Sequence, residues 1–255
     1  MIYDYHIHTE YSYDSFIKAD DLIKKAIQQG YDDIAITEHL DLLPQEISLY
    51  GLISLRDYVN FCQRLRDKYS QITLRTGIEI GDYHLLRDYA KTIINGYDLF
   101  PILGSVHFLS DHTNIAIRMS KALSRDQISD YYRANLQLVQ DCDIDVLAHL
   151  GVYKRYYGAP PNEDHVQELI KEIFKVIIER EIALEINLSG LKKPFAEIIP
   201  EPRYIEIYRS LGGNLFSIGS DSHKLENFGD AHLVAAQYGL PLDPPKRRKK
   251  LEILR

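Results

Sequence analysis

Short apolar runs alternate along the chain with longer stretches in which apolar residues return every three or four positions. The runs fall at 2–7, 33–37, 73–80, 98–106, 144–148, 182–187 and 214–219. Their length and β-branched content predict strands. Helical spacing between them predicts helices over 19–29, 54–69, 84–95, 124–140, 163–180, 202–211 and 228–238. In 163–180, for example, Val166, Leu169, Ile170, Ile173, Phe174 and Ile177 line one helix face. Strands alternating with helices predict a parallel sheet. Seven such units with no linker favour one closed, TIM-like α/β barrel spanning residues 1–255 as a single domain. A doubly wound open sheet is the alternative, but it gathers its ligands at one switch point rather than around a ring. The connections 40–53 and 108–123 exceed what a turn needs, which makes them candidate substrate-covering loops.

Composition narrows the class without choosing a function. The 255 residues are 45% hydrophobic and 26% charged, with a net charge of −7, as in a globular domain large enough to bury a core. The acidic balance argues against a nucleic-acid partner, which demands a basic face. No run is apolar for the length of a membrane span, and the N-terminus has no signal-peptide pattern, so a cytoplasmic location is expected. Cys62 and Cys142 form neither a CxxC pair nor a disulfide framework and read as reduced, structural thiols. The basic tail PPKRRKKLEILR at 244–255 reads as a solvated terminus, with phosphate or nucleic-acid contact as the lesser reading. Oligomeric state leaves no mark in the sequence.

The chemistry sits at the strand ends. His6 and His8 follow the first run, His39 the second, His107 the fourth, His149 the fifth, and Asp221 and His223 the last; Glu79 lies at the end of the third. A parallel barrel gathers these ends around one axis. Residues two apart on a strand face the same way, so His6 and His8 can reach one ion, and Asp221 with His223 repeats the geometry. Six of the seven predicted strands end in a residue that can bind metal. Imidazole with carboxylate suits zinc, manganese or iron, and more than one such ion is expected. His84, His112, His165 and His232 lie in helical or loop settings and read as structural. Asp14 is either a turn or cap residue ahead of 19–29 or a further ligand. Asn187 faces the substrate or stands behind the ligands, and Glu185, on the same face, points inward or pairs with a base.

The segments HIHTEYSYDS, ITEH, GIEIG, LGSVHF, LAHLGVYKRY, ALEIN and GSDSH resemble the motifs of the polymerase-and-histidinol-phosphatase (PHP) superfamily of metal-dependent phosphoesterases. The order and spacing match from His6 to His223, and the histidinol-phosphate phosphatase branch is the most similar. The resemblance implies a distorted seven-stranded (β/α) barrel with two or three divalent ions, held by three coordination sets. His6, His8, Glu79 and Asp221 would hold one ion. Glu79 would bridge to a second, completed by His107 and His149. Asp14, His39 and His223 would hold a third. Gly151 departs from the pattern, since relatives often carry an acid there.

The expected reaction is hydrolysis of a small phosphomonoester, L-histidinol phosphate first, by a hydroxide generated between ions that Glu79 spaces. His223 or Asp14 would assist the leaving oxygen if the third ion is missing. Arginine grips phosphate by its bidentate fork, and Arg155, six residues past His149, is the leading contact. Arg118, Lys192 and Lys193 follow, with Asn187 as a neutral partner. Glu38 or Asp41, beside His39, would meet the substrate amine. Other substrates within the same fold are a nucleotide, a sugar-like phosphate or a phosphotyrosine. A metal-stabilised domain without turnover is the reading from another class. An amidohydrolase would need a bridging lysine after a middle strand, and none is placed there.

Overall fold

The computed structural model describes residues 1–240 and 243–248, so the tail beyond 248 lies outside the described residues. Seven parallel strands pair in sequence order: β1 (Tyr3–Ile7), β2 (Asp33–Asp41), β3 (Thr73–Gly81), β4 (Ile102–Ser105), β5 (Val146–Leu147), β6 (Ala183–Asn187) and β7 (Phe216–Gly219). The helices α1 (Ala19–Gln28), α2 (Pro44–Tyr50), α3 (Leu55–Lys68), α4 (Arg87–Ile94), α5 (Arg125–Asp141), α6 (Gln167–Glu179), α7 (Pro202–Ser210) and α8 (Ala231–Tyr238) occupy the connections. Strands covered on both faces need near-continuous apolar runs. β1 and β6 are accordingly buried at every position.

The sheet returns on itself. Ile7 bridges Ser222 in parallel, the Asp221 amide donates to His6 O at 2.7 Å, and the His8 amide donates to Ser222 O at 3.1 Å. The distortion lies at β5, which pairs with β4 only through Leu103–Val146 and Gly104–Leu147. The barrel expected from the alternation is the one found, and the open-sheet alternative is not.

Local chemistry explains the helix ends. Ser54 accepts a hydrogen bond from the Asp57 amide and starts α3. Ser124 and Gln127 form a reciprocal capping box at α5. The first amide of α1 instead donates to Glu10 Oε2 at 2.7 Å. In α6, Ile170, Ile173, Phe174 and Ile177 face the barrel, as their spacing predicts.

Three expectations change. β2 runs on to Asp41, so His39 lies within a strand and pairs in register with Glu79. The run 98–106 yields strand only from Ile102, because Pro101 has no amide to give a ladder. The expected loop 40–53 contains α2, which begins at Pro44, a residue preset for the first helical turn. The 108–123 connection is irregular, and its Ala116 carbonyl accepts from Tyr156 Oη at 3.0 Å and from the Arg155 guanidinium. Cys62 and Cys142 are buried and unpaired by disulfide. Among the described residues, no helix is long and apolar enough to cross a membrane.

At the opposite end from the histidines, Arg75 grips Asp33 with Nε at 2.9 Å and Nη2 at 2.6 Å, and Tyr5 Oη adds a donor at 2.9 Å. This pair ties β1, β2 and β3 together far from the strand ends that carry the ligands. Asp33→Asn should therefore lower unfolding stability by about 1–3 kcal/mol while leaving metal content as it was. Denaturant melts with parallel metal analysis check it, and a loss of metal at unchanged stability would contradict the separation of the two ends.

Candidate metal centre

The register of the barrel converts scattered residues into one cluster. Glu79, fully buried on β3, stands at its middle. Its Oε1 lies 2.8 Å from His149 Nε2 and 3.4 Å from His107 Nε2. Its Oε2 lies 3.2 Å from His6 Nε2, 3.4 Å from His8 Nε2 and 3.2 Å from His39 Nδ1. The carboxylate is thus divided between two groups of imidazoles, the geometry a bridging ligand requires. Asp221 Oδ1 faces the first group, 3.8 Å from His6 Nε2 and 3.6 Å from His8 Nε2. Further out, Asp14 reaches His39 Nε2 at 3.6 Å and His223 Nε2 at 3.3 Å, and those two nitrogens are 3.3 Å apart. All nine residues expected as ligands therefore meet, with Asp14 the most exposed of them.

These donors fit metal ions on chemical grounds. The Nε2 atoms of His6 and His8 converge to 3.1 Å, and Glu79 Oε2 is buried without a hydrogen-bond donor. The ligand atoms of His6–His8–Glu79, of Glu79–His107–His149 and of His8–His39–His223 each lie within 4.8 Å of one another. Burial opposes the charge on Glu79, but His6, His39, His107 and His149 outweigh it and hold the carboxyl well below its ordinary range. Asp221 behaves likewise: burial opposes its charge, while His6, His223 and Arg155 hold it down. Burial, and then the nearby His223 and His39, push His8 well below the usual imidazole value, leaving a neutral ring with a free lone pair.

A second layer aims the rings. Glu185 Oε1 is 2.6 Å from His6 Nδ1, while its Oε2 accepts from the His149 amide at 2.5 Å and from Asn187 Nδ2 at 3.1 Å. Burial opposes a charge on His6, but Glu185, Glu79 and Asp221 outweigh it and raise its value well above that of a free imidazole; with Nδ1–H held by Glu185, a metal would take the place of the Nε2 proton. Gly219 makes room for this contact, since a Cβ there would lie 2.2 Å from Glu185 Oε1. Ser12 Oγ, 3.1 Å from His8 Nδ1, is itself held by buried Glu38, which also receives the Thr9 amide. Two of the nine candidate ligands sit on left-handed backbone, His149 at φ +27° and Asp221 at φ +51°, a conformation that persists where its surroundings enforce it.

The remaining candidates divide. Arg155 Nη1 reaches Asp221 Oδ2 at 3.1 Å and Ser189 Oγ at 3.4 Å, so it borders the centre. It rides on a 3₁₀ turn, Val152–Tyr156, fixed by its neighbour: Lys154 is buried against Glu163, which also takes the hydroxyls of Tyr132 and Tyr204 at 2.5 Å. Gly151 opens that turn at φ +104°, which explains why no acid occupies the position. Lys193 lies close enough to Arg155 that the two charges repel. Lys192, by contrast, is paired with Asp230 at 2.8 Å and faces away. Arg118 is exposed on the 108–123 connection. Asn187 is buried behind Glu185 and does not face a substrate. Glu38 is likewise committed to Thr9 and Ser12, so it does not await an amine. Glu46 was hidden in the stretch expected to be a loop. It is buried in α2 and pushed up to about 8 by burial and then by Asp41.

The fold and the donor set together define a parallel barrel with a site for several divalent ions. A family profile described as PHP domain matches residues 4–189. A protein of Clostridium acetobutylicum named "Probable histidinol-phosphatase" is 30% identical over 235 residues, covering 90% of this chain and 89% of the relative. The protein of the same name from Thermotoga maritima is 29% identical over 229 residues, covering 89% and 86%. In fold, the chain is similar to histidinol phosphate phosphatase of Lactococcus lactis, solved with zinc, L-histidinol and phosphate. That match has a TM-score of 0.78 at 23% identity and covers 94% of each chain. The chain belongs to the PHP domain family.

Removing the buried carboxylate behind His6 should loosen metal without touching a ligand. Glu185→Gln is expected to weaken metal affinity about 10–100-fold, and Glu79→Gln more, whereas Lys192→Ala leaves it alone. Competition with a chromogenic chelator reads this order, and a Glu185→Gln protein that holds metal as the parent does would refute the assignment.

Proposed function

We propose that this protein is a metal-dependent phosphomonoesterase that hydrolyses L-histidinol phosphate to L-histidinol and inorganic phosphate. The observation that carries the reading is the division of one buried carboxylate, Glu79, between two imidazole groups, with Arg155 at their edge. Curated relatives that cover about nine-tenths of the chain bear the histidinol-phosphatase name, which supports the choice of substrate. The whole reaction is then accommodated in one barrel domain, its partner a small phosphorylated molecule.

His6, His8, Glu79 and Asp221 would hold one ion, Glu79 with His107 and His149 a second, and Asp14, His39 and His223 a third. When bound, divalent ions supply Lewis acidity to a phosphoryl group and lower the pKa of a nucleophilic water. The protein's own groups do the rest. Glu79 fixes the spacing of the two inner sets. Glu185 and Ser12 keep the lone pairs of His6 and His8 directed inward. Arg155 and Lys193 offset the charge of the phosphate dianion that otherwise repels a nucleophile. Water and the ester exchange one P–O bond: the phosphorus–alkoxide bond breaks, and the alkoxide leaves with a proton from the water consumed. Asp14 and His223, at the open rim, are placed on the leaving-group side.

Protein stripped with a chelator should lose turnover of L-histidinol phosphate, and added zinc or manganese should restore it. Across a panel with a nucleotide, a sugar phosphate and phosphotyrosine, L-histidinol phosphate should give the highest kcat/KM; a flat panel would sink the substrate assignment. Arg155→Ala should raise KM by about 10–100-fold, the worth of a charge-assisted hydrogen bond. Arg155→Lys should recover part of this, because it keeps the charge but loses the fork.

A further inference from the structure

Tyr5 and His6 are neighbours in the chain, yet both face the side of the sheet that Glu79 occupies. Tyr5 Oη donates to Asp33 Oδ2 at 2.9 Å, and the Arg75 guanidinium lies over the Tyr5 ring. Asp33 shares a face of β2 with His39, and Arg75 shares a face of β3 with Glu79. His6 Nε2 lies 3.2 Å from Glu79 Oε2 on that same face. Consecutive residues of a regular strand point to opposite faces. The pairing shows where regularity fails: Asp4 pairs with Ile34 and Ile7 with Ile36, so three steps along β1 match two along β2. β1 therefore carries a β-bulge, one residue more than its partner.

The bulge decides where the first two histidines point. Without it, the face that holds Tyr3 and Tyr5 would continue to Ile7, and His6 and His8 would turn away from Glu79. A slip of one residue flips every side chain beyond it. The two-residue spacing makes the imidazoles share a face, and the bulge chooses which face. Its cost falls on the backbone, because buried amides that leave the ladder need other acceptors. The His6 amide donates to Asp4 Oδ1 at 3.2 Å, and the Ile7 amide to Thr37 Oγ1 at 3.1 Å. Asp4 Oδ1 also accepts the Ser220 amide at 3.0 Å, from the residue before Asp221. Asp4 and Thr37 are both fully buried. A Cβ on Gly219 would lie 2.4 Å from His6 Cβ, so β7 leaves room for the bulged residue.

We propose that Asp4 is a positioning residue: by taking the His6 and Ser220 amides on one oxygen, it fixes the bulge that turns His6 and His8 toward Glu79. Asp4 acts on the backbone, and the rings follow. Three of the four residues of the first coordination set, His6, His8 and Asp221, thus take their direction from one buried carboxylate. The inference rests on the metal centre and is independent of which phosphate ester is hydrolysed.

Zinc affinity, read by competition with a chromogenic chelator, separates positioning from plain stability. Asp4→Ala removes the shared acceptor and should weaken zinc binding about 10–100-fold, as loss of a partner behind a ligand does. Asp4→Asn keeps an acceptor oxygen and should recover most of that affinity. Thr37→Val removes the second acceptor and should weaken zinc by about 2–10-fold, the worth of one neutral hydrogen bond; it serves where Asp4→Ala fails to fold. Cobalt(II) in folded Asp4→Ala should give a visible absorption spectrum unlike the parent's, because an imidazole is displaced. Asp33→Asn, at the base of the same sheet, is the control that should lose stability with zinc affinity and cobalt spectrum unchanged. Parent-like affinity and spectrum in the folded variants would overturn the proposal. So would an Asn variant as weak as the Ala variant, or the same loss in Asp33→Asn. A parent that takes up no zinc removes the metal centre and this inference together, whereas turnover of a different ester touches only the proposed function.

Discussion

Everything at the strand ends depends on keeping Glu79 ionised in a place that water does not reach. A carboxylate there is destabilised by burial unless positive charge or hydrogen-bond donors surround it. The protein supplies imidazoles instead of permanent cations, five of them with ring nitrogens facing the two oxygens. Neutral imidazole offers a lone pair, and protonated imidazole offers a charge, so the same side chain serves a metal or a proton. The outer layer decides which nitrogen is presented. Glu185 fixes His6, Ser12 fixes His8, and the Asp221 carbonyl lies 3.0 Å from His223 Nδ1. Orientation is thus inherited from the backbone outward, through carboxylates and a hydroxyl, to the rings.

The barrel contributes position where side-chain chemistry cannot. His39 and Glu79 are neighbours because β2 and β3 run in register. His6 and Asp221 are neighbours because the ring closes through the Asp221 amide to His6 O. The closing hydrogen bond and the candidate metal ligands therefore belong to the same residues. A change that opened the β7–β1 seam would also separate Asp221 from His6 and His8. Left-handed backbone at His149 and Asp221 fits this view: the chain must turn sharply at each strand end to point its ligand inward.

Much of this was readable from the chain. The two-residue spacing of His6 and His8, and of Asp221 and His223, carries geometric meaning by itself, and the βα rhythm carries the ring. What was not readable depends on register and rotation. Lys192 and Lys193 are adjacent on a turn, and only the fold shows that one pairs with Asp230 while the other approaches Arg155. Asn187 was open to two readings, which its hydrogen bond to Glu185 resolves. Glu38 and Asp41 both flank His39; with a strand expected only to 37, alternation could not be applied to them, whereas β2 running on to Asp41 puts them on opposite faces, Asp41 with His39 and Glu38 away from it. Glu46 was missed because LPQEISLYG reads as a connection, and seven residues of helix leave little periodicity to detect.

Buried charge alone would not have located the function, as Glu163 shows. It is as deeply buried as Glu79 and it too is ionised: burial opposes the charge, and Lys154 with the surrounding tyrosines overcomes it. Yet its donors come from the protein itself: Lys154, Arg203 at 3.0 Å and three tyrosine hydroxyls. Such a set is complete, and its effect is to hold the turn that carries Arg155. Around Glu79 the facing atoms are imidazole nitrogens, and its Oε2 receives no hydrogen bond from the protein. An arrangement made of acceptors alone becomes favourable only when cations arrive from outside the chain. Satisfied charge marks the scaffold here, and unsatisfied acceptors mark where ligands bind.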